Sequence, residues 1–298
     1  RYAQALTKES AATRESIAPG VSMSVPQQDL QSGSFGARLR GWRNLRRLSQ
    51  LDLSLSANVS QRHLSWLETG RSQPSRAMVI QLAEALDVPL RERNQLLGAA
   101  GFAEVYQQRG LNESHMRSVS DALRRILDQQ MPYPGLVVDR EWNLVMTNRC
   151  LDMLLGAAGG DNLKDAALAP DGRLNIALMT LHPQGLRPLI SNWGTAARAF
   201  VQRLRQDLEQ TGDQELRERL EQLIALAGEI PEPTVDTAPL LPMLTLDLNV
   251  GGAALKLFSV ISTFGTPQDV TMDELRIESF FPADEVSDRL LRELCGES

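Results

Sequence analysis

The stretch Ser49–Gly70 reads SQLDLSLSANVSQRHLSWLETG. Two short helical segments flank Asn58-Val59, and Leu53, Ala57, Val59, Leu64 and Leu67 are their apolar positions. That spacing lets two helices cross and bury one seam, as a helix-turn-helix requires. Asn58 stands where the chain must turn sharply, and Asn tolerates a positive φ better than most residues. Ser49 and Ser60 are candidate N-caps for the two helices, and Gly70 a candidate C-cap.

With Leu64 and Leu67 inward, Gln61, Arg62, Ser65 and Trp66 face outward near the start of the second helix. The N-terminal half of a recognition helix enters the major groove. Gln pairs bidentately with adenine and Arg with guanine, because their donor and acceptor spacing matches those base edges. Charge agrees with this placement. The whole chain carries −6, yet between Phe35 and Arg76 eight arginines face two acids, Asp52 and Glu68. A basic module on an acidic body is the electrostatic footprint of a DNA reader with a second task.

Working outward, Leu48-Ser49-Gln50, Val59-Ser60, Leu64, Leu67-Glu68, Gly70-Arg71 and Pro74-Ser75 follow one another at the spacing of a known motif. The segment from Phe35 to about Phe102 resembles the Xre/phage-repressor helix-turn-helix. The resemblance implies an all-α N-terminal domain of five helices that binds double-stranded operator DNA. It implies a phosphate contact from Gln50 and places Gln61, Arg62 and Trp66 where the family reads bases; Ser60 and Ser65, beside them on the second helix, are further candidate DNA-binding residues. Arg71 and Ser72, in the following loop, reach phosphate. Trp66 either touches a thymine methyl or lies on the protein surface and leaves specificity to Gln61 and Arg62. Arg43 and Glu68 match a pair that joins the first helix to the end of the third, so Arg43 is structural.

Around this core the chain divides into residues 1–33, a polar tail expected to be mobile, with Met23 a candidate translation start; 34–103, the helix-turn-helix domain; 104–130, a linker and connecting helix; and 131–298, a second domain. In the second domain, strands are expected at 135–139 and 143–147 about a turn at Arg140-Glu141-Trp142. A helix over 148–155 stops at Gly156, and two longer helices span 190–210 and 213–227. Leu244, Leu246, Leu248 and Val250 then alternate with polar residues, the period of a strand. Gly251-Gly252 turns the chain into a second strand, Glu274–Phe281 is a third, and a helix closes the chain. The sum is an α+β domain with a five-stranded antiparallel sheet.

Pro134–Asp139, Trp142-Asn143-Leu144 and Thr147-Asn148 resemble the PAS-like ligand-binding domain of MmyB-like regulators. Asn192-Trp193 stands where many members have Asp-Trp, and Pro239-Leu240-Leu241-Pro242 replaces a His-Pro-x-Gly segment. The resemblance implies a small apolar ligand, fatty-acid-like. Trp142, Met146, Leu154, Met179, Trp193, Phe200, Leu246, Phe258 and Phe280 are the candidate pocket residues, since methionines and aromatics suit an adaptable pocket. Arg187 or Arg198 is the candidate donor to a carboxylate. The rival reading makes the same domain a scaffold for dimerisation or a protein partner, with no small ligand.

An enzyme finds little here. The histidines, His63, His115 and His182, are far apart, and Gly159-Gly160 and Gly251-Gly252 lack a phosphate-binding context. No metal site or cofactor is expected. Cys150 and Cys295 have no metal spacing and suit a reducing compartment, and no uncharged run approaches a membrane span. The expectation is a cytoplasmic, homodimeric, ligand-responsive regulator of transcription.

Overall fold

The computed structural model describes residues 29–30, 33–232 and 243–296. Most of the expected tail and the Pro239–Pro242 segment lie outside the described residues. Within the tail, however, Asp29 and Leu30 are docked on the first domain. Asp29 pairs with Arg40 at 2.9 Å, and Leu30 is 3% exposed.

The first domain is five helices: α1 (Phe35–Leu45), α2 (Gln50–Ser56), α3 (Gln61–Glu68), α4 (Arg76–Ala85) and α5 (Leu90–Ala99). Their boundaries follow from local chemistry. The Ser49 hydroxyl accepts from the Asp52 amide while the Asp52 carboxylate accepts from the Ser49 amide, a reciprocal capping box. Ser60 caps α3 by accepting from the His63 amide. Asn58 takes φ 48°, the left-handed turn between α2 and α3. Leu39, Trp42, Leu53, Leu64, Leu67, Leu82 and Leu97 form a core exposed by no more than 1% each. Gly36 lets α1 close on α3, because a Cβ there would fall on the carbonyl oxygens of Leu67 and Glu68.

A 3-10 turn (Ser114–Met116) leads into α6 (Arg117–Gln129). Then come β1 (Gly135–Val138), β2 (Leu144–Thr147), α7 (Arg149–Ala158), α8 (Asp161–Ala166) and α9 (Ile176–Leu181). The long helices α10 (Trp193–Gln210) and α11 (Gln214–Leu226) precede β3 (Leu246–Val250) and β4 (Ala253–Ser262). The short helix α12 (Val270–Glu274), β5 (Arg276–Pro282) and α13 (Glu285–Cys295) complete the described chain. The five strands form one antiparallel sheet in the order β2-β1-β5-β4-β3.

Registry decides which side chains share a face. Leu136 pairs with Glu278, Ile261 with Glu278, Leu257 with Pro282 and Leu248 with Leu255, so these residues line one face with Phe280. That face meets α7, α9, α10, α11 and α13 through two apolar clusters that share Trp193 and Phe280. Val137 and Ile277 point the other way, where Leu123 and Leu127 of α6 cover them.

Three expectations are corrected. Helix α7 runs through Gly156 and stops at Gly159, whose φ of 145° no other residue type holds easily. Glu274 ends a helix rather than starting a strand, because Asp269 caps that turn by accepting from the Thr271 amide. Cys150 and Cys295, read as separate thiols, are joined by a disulfide that ties α7 to α13. Their sequence separation of 145 residues hid that meeting.

Candidate functional site

Helix α3 packs on α1 and α2 through Leu64 and Leu67, which are buried. Its opposite side is open. Gln61, Arg62 and Trp66 are exposed and Ser65 is half-buried, on one surface that also carries the exposed Arg71 and, in the loop after α3, the half-buried Ser72. The Arg62 guanidinium lies 4.5 Å from the centroid of the Trp66 ring. The stack holds a flexible cation over an aromatic face and leaves its edge N–H groups free to donate. The Arg71 amide donates to the Trp66 carbonyl at 2.8 Å, which turns the chain sharply out of α3.

Beneath this surface, Arg43 Nε and Nη2 donate to the Glu68 carboxylate at 2.6 and 3.0 Å, and Arg43 Nη1 donates to the Leu48 carbonyl at 2.8 Å. Gln50 Nε2 donates to the same carboxylate at 2.9 Å. Gln50 is therefore tied to Glu68 from the start of α2, a link that separation in sequence concealed. Ser60 spends its hydroxyl on the cap of α3.

In the second domain the candidate pocket residues fall into groups. Trp142, Met179 and Phe200 meet in one cluster on the helix-covered face, with Trp193 and Phe280 at its boundary with the cluster that holds Leu154 and Leu246. Trp142 is fully buried at a φ of 68°, and its ring meets Phe200 edge-on at 4.8 Å. Its Nε1 donates to Asp207 Oδ2 at 3.0 Å, and Arg276 donates to both oxygens of Asp207 at 2.7 Å. Asp207 and Arg276 carried no sequence signal, because α10 and β5 meet only in the fold. Met146 and Phe258 are not part of this group. Met146 packs under α6, and Phe258 stacks on Phe281 at 5.6 Å on that same sheet face.

At the start of α10, the Arg187 guanidinium stands 4.7 Å over the Trp193 ring, and Trp193 Nε1 is buried without a hydrogen-bond partner. A buried donor left unpaired costs free energy, so the position suits an acceptor from outside the chain. Arg198 is exposed and already engaged, pairing with Glu232 at 3.7 Å and donating to the Pro231 carbonyl at 3.3 Å. Farther along the same face Glu278 is 8% exposed, and burial pushes its carboxyl up against the opposing pull of Ser259, Arg203 and Arg276.

Among the described residues no cluster of His, Cys, Asp or Glu could hold a metal ion, and no helix is long and apolar enough to cross a membrane. A model of the helix-turn-helix domain matches residues 34–96. A model of the MmyB-like transcription regulator ligand binding domain matches residues 119–294, more than half the chain. A search of curated proteins finds no match. A helix-turn-helix with an open reading face, followed by a five-stranded domain that this family model covers almost end to end, identifies the chain as a member of the MmyB-like transcription regulators.

Proposed function

We propose that this regulator binds a two-fold-related operator as a homodimer and that its second domain senses a small apolar acid, fatty-acid-like in character. The DNA-reading half of the proposal rests on the open surface of α3, where Gln61, Arg62, Ser65 and Trp66 stand together. Gln50, Arg71 and Ser72 flank that surface for backbone contacts. Two-fold operators place half-sites about one helical turn apart, which calls for two copies of the chain. Gln61→Ala and Arg62→Ala each weaken binding of a selected duplex by about 1–3 kcal/mol and relax base preference. A mobility-shift titration in which both variants match the parent refutes this reading of the helix.

The ligand half rests on one observation: the unpartnered Trp193 Nε1 beside Arg187, at the boundary of two apolar clusters. A carboxylate there gains a donor and a cation, while its chain lies along Phe200, Phe280 and Leu154. Organic extraction of the purified protein releases such an acid, and Trp193→Arg abolishes its binding. Extraction of nothing, together with long-chain acids that leave the melting temperature unchanged, removes the sensor.

A second reading makes the domain a dimerisation scaffold, and one observation favours it. On the α6 face of the sheet, Val260 is 47% exposed on the same side as the Phe258–Phe281 stack, and Ile126 of α6 is 38% exposed. In this reading the dimer forms through α6 and that sheet face. Light scattering of the parent and of Ile126→Glu with Val260→Glu tests that surface: a monomeric parent, or a dimer that survives both substitutions, rejects it, and an acid released on extraction favours the sensor over the scaffold.

A further inference from the structure

The two domains meet at the first turn of α5. The Leu90 amide donates to Asp273 Oδ2 at 2.8 Å, and Arg91 makes two bonds to Glu274 at 2.6 and 2.9 Å. Leu90 also packs with Tyr106 and Val270 in a small apolar cluster. Glu92, next in the turn, reaches farther. Its side chain enters the second domain, and the residue is only 3% exposed. Glu92 Oε1 accepts from the Gly212 amide at 3.1 Å and from the Thr211 hydroxyl at 3.3 Å. Gly212 makes room for it, since a Cβ there would stand 3.0 Å from Glu92 Oε2.

Burying a carboxylate this way is costly for mere adhesion, and an apolar side chain of similar volume would join the domains at lower cost. Burial and the nearby Asp213 push the Glu92 carboxyl up, against the Gly212 amide, the Thr211 hydroxyl and Arg140. What the carboxylate supplies is direction, because it binds one loop in one geometry.

That loop is the end of α10. The helix has eighteen residues, so it spans about 27 Å at 1.5 Å per residue. Trp193 and Phe200 sit toward one end, in the apolar clusters. Asp207 is locked to Trp142 and Arg276 near the other end, and Thr211-Gly212 follows at once. Helix α3 packs on α1 and α2, whereas α5 packs on α1 and α4, so the docked second domain leaves the reading face open.

A cleft of about 690 Å³ adjoins the contact, between Arg46, Asp87 and Arg93 on one side and Asp207, Thr211 and Arg276 on the other. Its arginines already have partners. Arg46 donates to the Leu86 and Asp87 carbonyls, Arg93 to the Val88 carbonyl, and Arg276 to Asp207. The cleft therefore offers space for the domains to shift rather than a set of unpaired charges for a ligand.

We propose that Glu92 is a positioning residue that makes the DNA-binding domain follow α10, so that a rearrangement of the aromatic core reorients the recognition helix. The proposal rests on the sensor reading of the second domain, but its test needs no ligand. Coupling between sites is reciprocal, so DNA held by α3 must act back on α10. Hydrogen exchange is followed by mass spectrometry in the full chain, alone and with a duplex the chain has itself selected from a random library. In the parent, the duplex changes exchange of the 193–210 amides by roughly fivefold or more. Glu92→Ala still binds the duplex and loses that response. Glu92→Leu keeps the volume but removes both accepted bonds, gives the same loss, and replaces Glu92→Ala if that variant does not fold. A parent whose α10 ignores DNA, or a folded variant that keeps the response, overturns the proposal. Decanoic acid titrated against tryptophan fluorescence tests the sensor separately. Binding without an α10 response overturns the coupling alone, and an α10 response that Glu92→Ala removes, without acid binding, overturns the sensor alone.

Discussion

Arg43 and Glu68, on helices α1 and α3, form a two-pronged ion pair at 2.6 and 3.0 Å with side chains only 11% and 2% exposed. The pair fixes the angle at which α3 leaves the domain and so aims the reading face. Removing one partner strands the other charge in the core, a loss of about 3–5 kcal/mol. Glu68→Ala is expected to lower the melting temperature of the full chain, with Gln50 and Arg43 both left without their shared acceptor. If Arg43 instead served phosphate, Arg43→Ala would leave melting intact and reduce the salt slope of DNA binding. Melting and salt titration of the two variants separate these outcomes.

Trp66 is expected to act on specificity through Arg62, which it stacks against at 4.5 Å. An exposed cation–π pair contributes about 0.5–1 kcal/mol. Trp66→Phe keeps most of the preference at the base that Arg62 reads, while Trp66→Ala weakens it with little change in non-specific binding. Equal losses for every sequence in a competition titration count against the stack.

Glu278 gives a pH dependence of definite sign. Its folded-state pKa is raised by burial, so the folded chain keeps a proton that the unfolded chain has released. Its contribution to stability is therefore complete in acid and falls as the pH rises from the ordinary glutamate range through the raised value. Glu278→Gln is neutral throughout and lacks this fall. The gap between the two melting curves is expected to widen in favour of the variant across that rise, and curves that stay parallel contradict it. Carboxyls held down by their partners, such as Asp284 by the Ser287 amide and hydroxyl, shift both proteins alike.

The bond between Cys150 and Cys295 closes a loop of 145 residues between buried positions of α7 and α13. Cross-links of native loops contribute about 2–4 kcal/mol. Cys295→Ser is expected to destabilise the second domain by that order and to release a free thiol at Cys150. A thiol titration of the denatured parent that finds two free thiols contradicts the bond.

Much of the first domain was legible because its determinants are local. Ser49, Asp52, Asn58 and Ser60 act within three or four residues of themselves, and the apolar period of α2 and α3 reports one buried seam. Strand β3 was legible for the same reason, since Leu246, Leu248 and Val250 alternate with polar residues and Gly251-Gly252 favours a turn. Helix α7 was misread at Gly156 because a glycine inside a helix is merely unfavourable, not forbidden.

Apart from the Arg43–Glu68 pair, which the family resemblance implied, tertiary structure alone decided the relationships between elements distant in sequence. Met146 and Phe258 look like Trp142 in composition, yet the pairing of Val137 with Met146 and of Phe258 with Phe281 puts them on the other face of the sheet. Asp207 and Arg276 are ordinary surface charges in the sequence until α10 lies across β5. Glu92 reads as a first-turn acid of a helix, and only the packing of two domains takes it out of water and seats it at Gly212. Local patterns encode propensity and facing, whereas registry, long-range pairing and burial are set by how whole elements pack, which no short window contains.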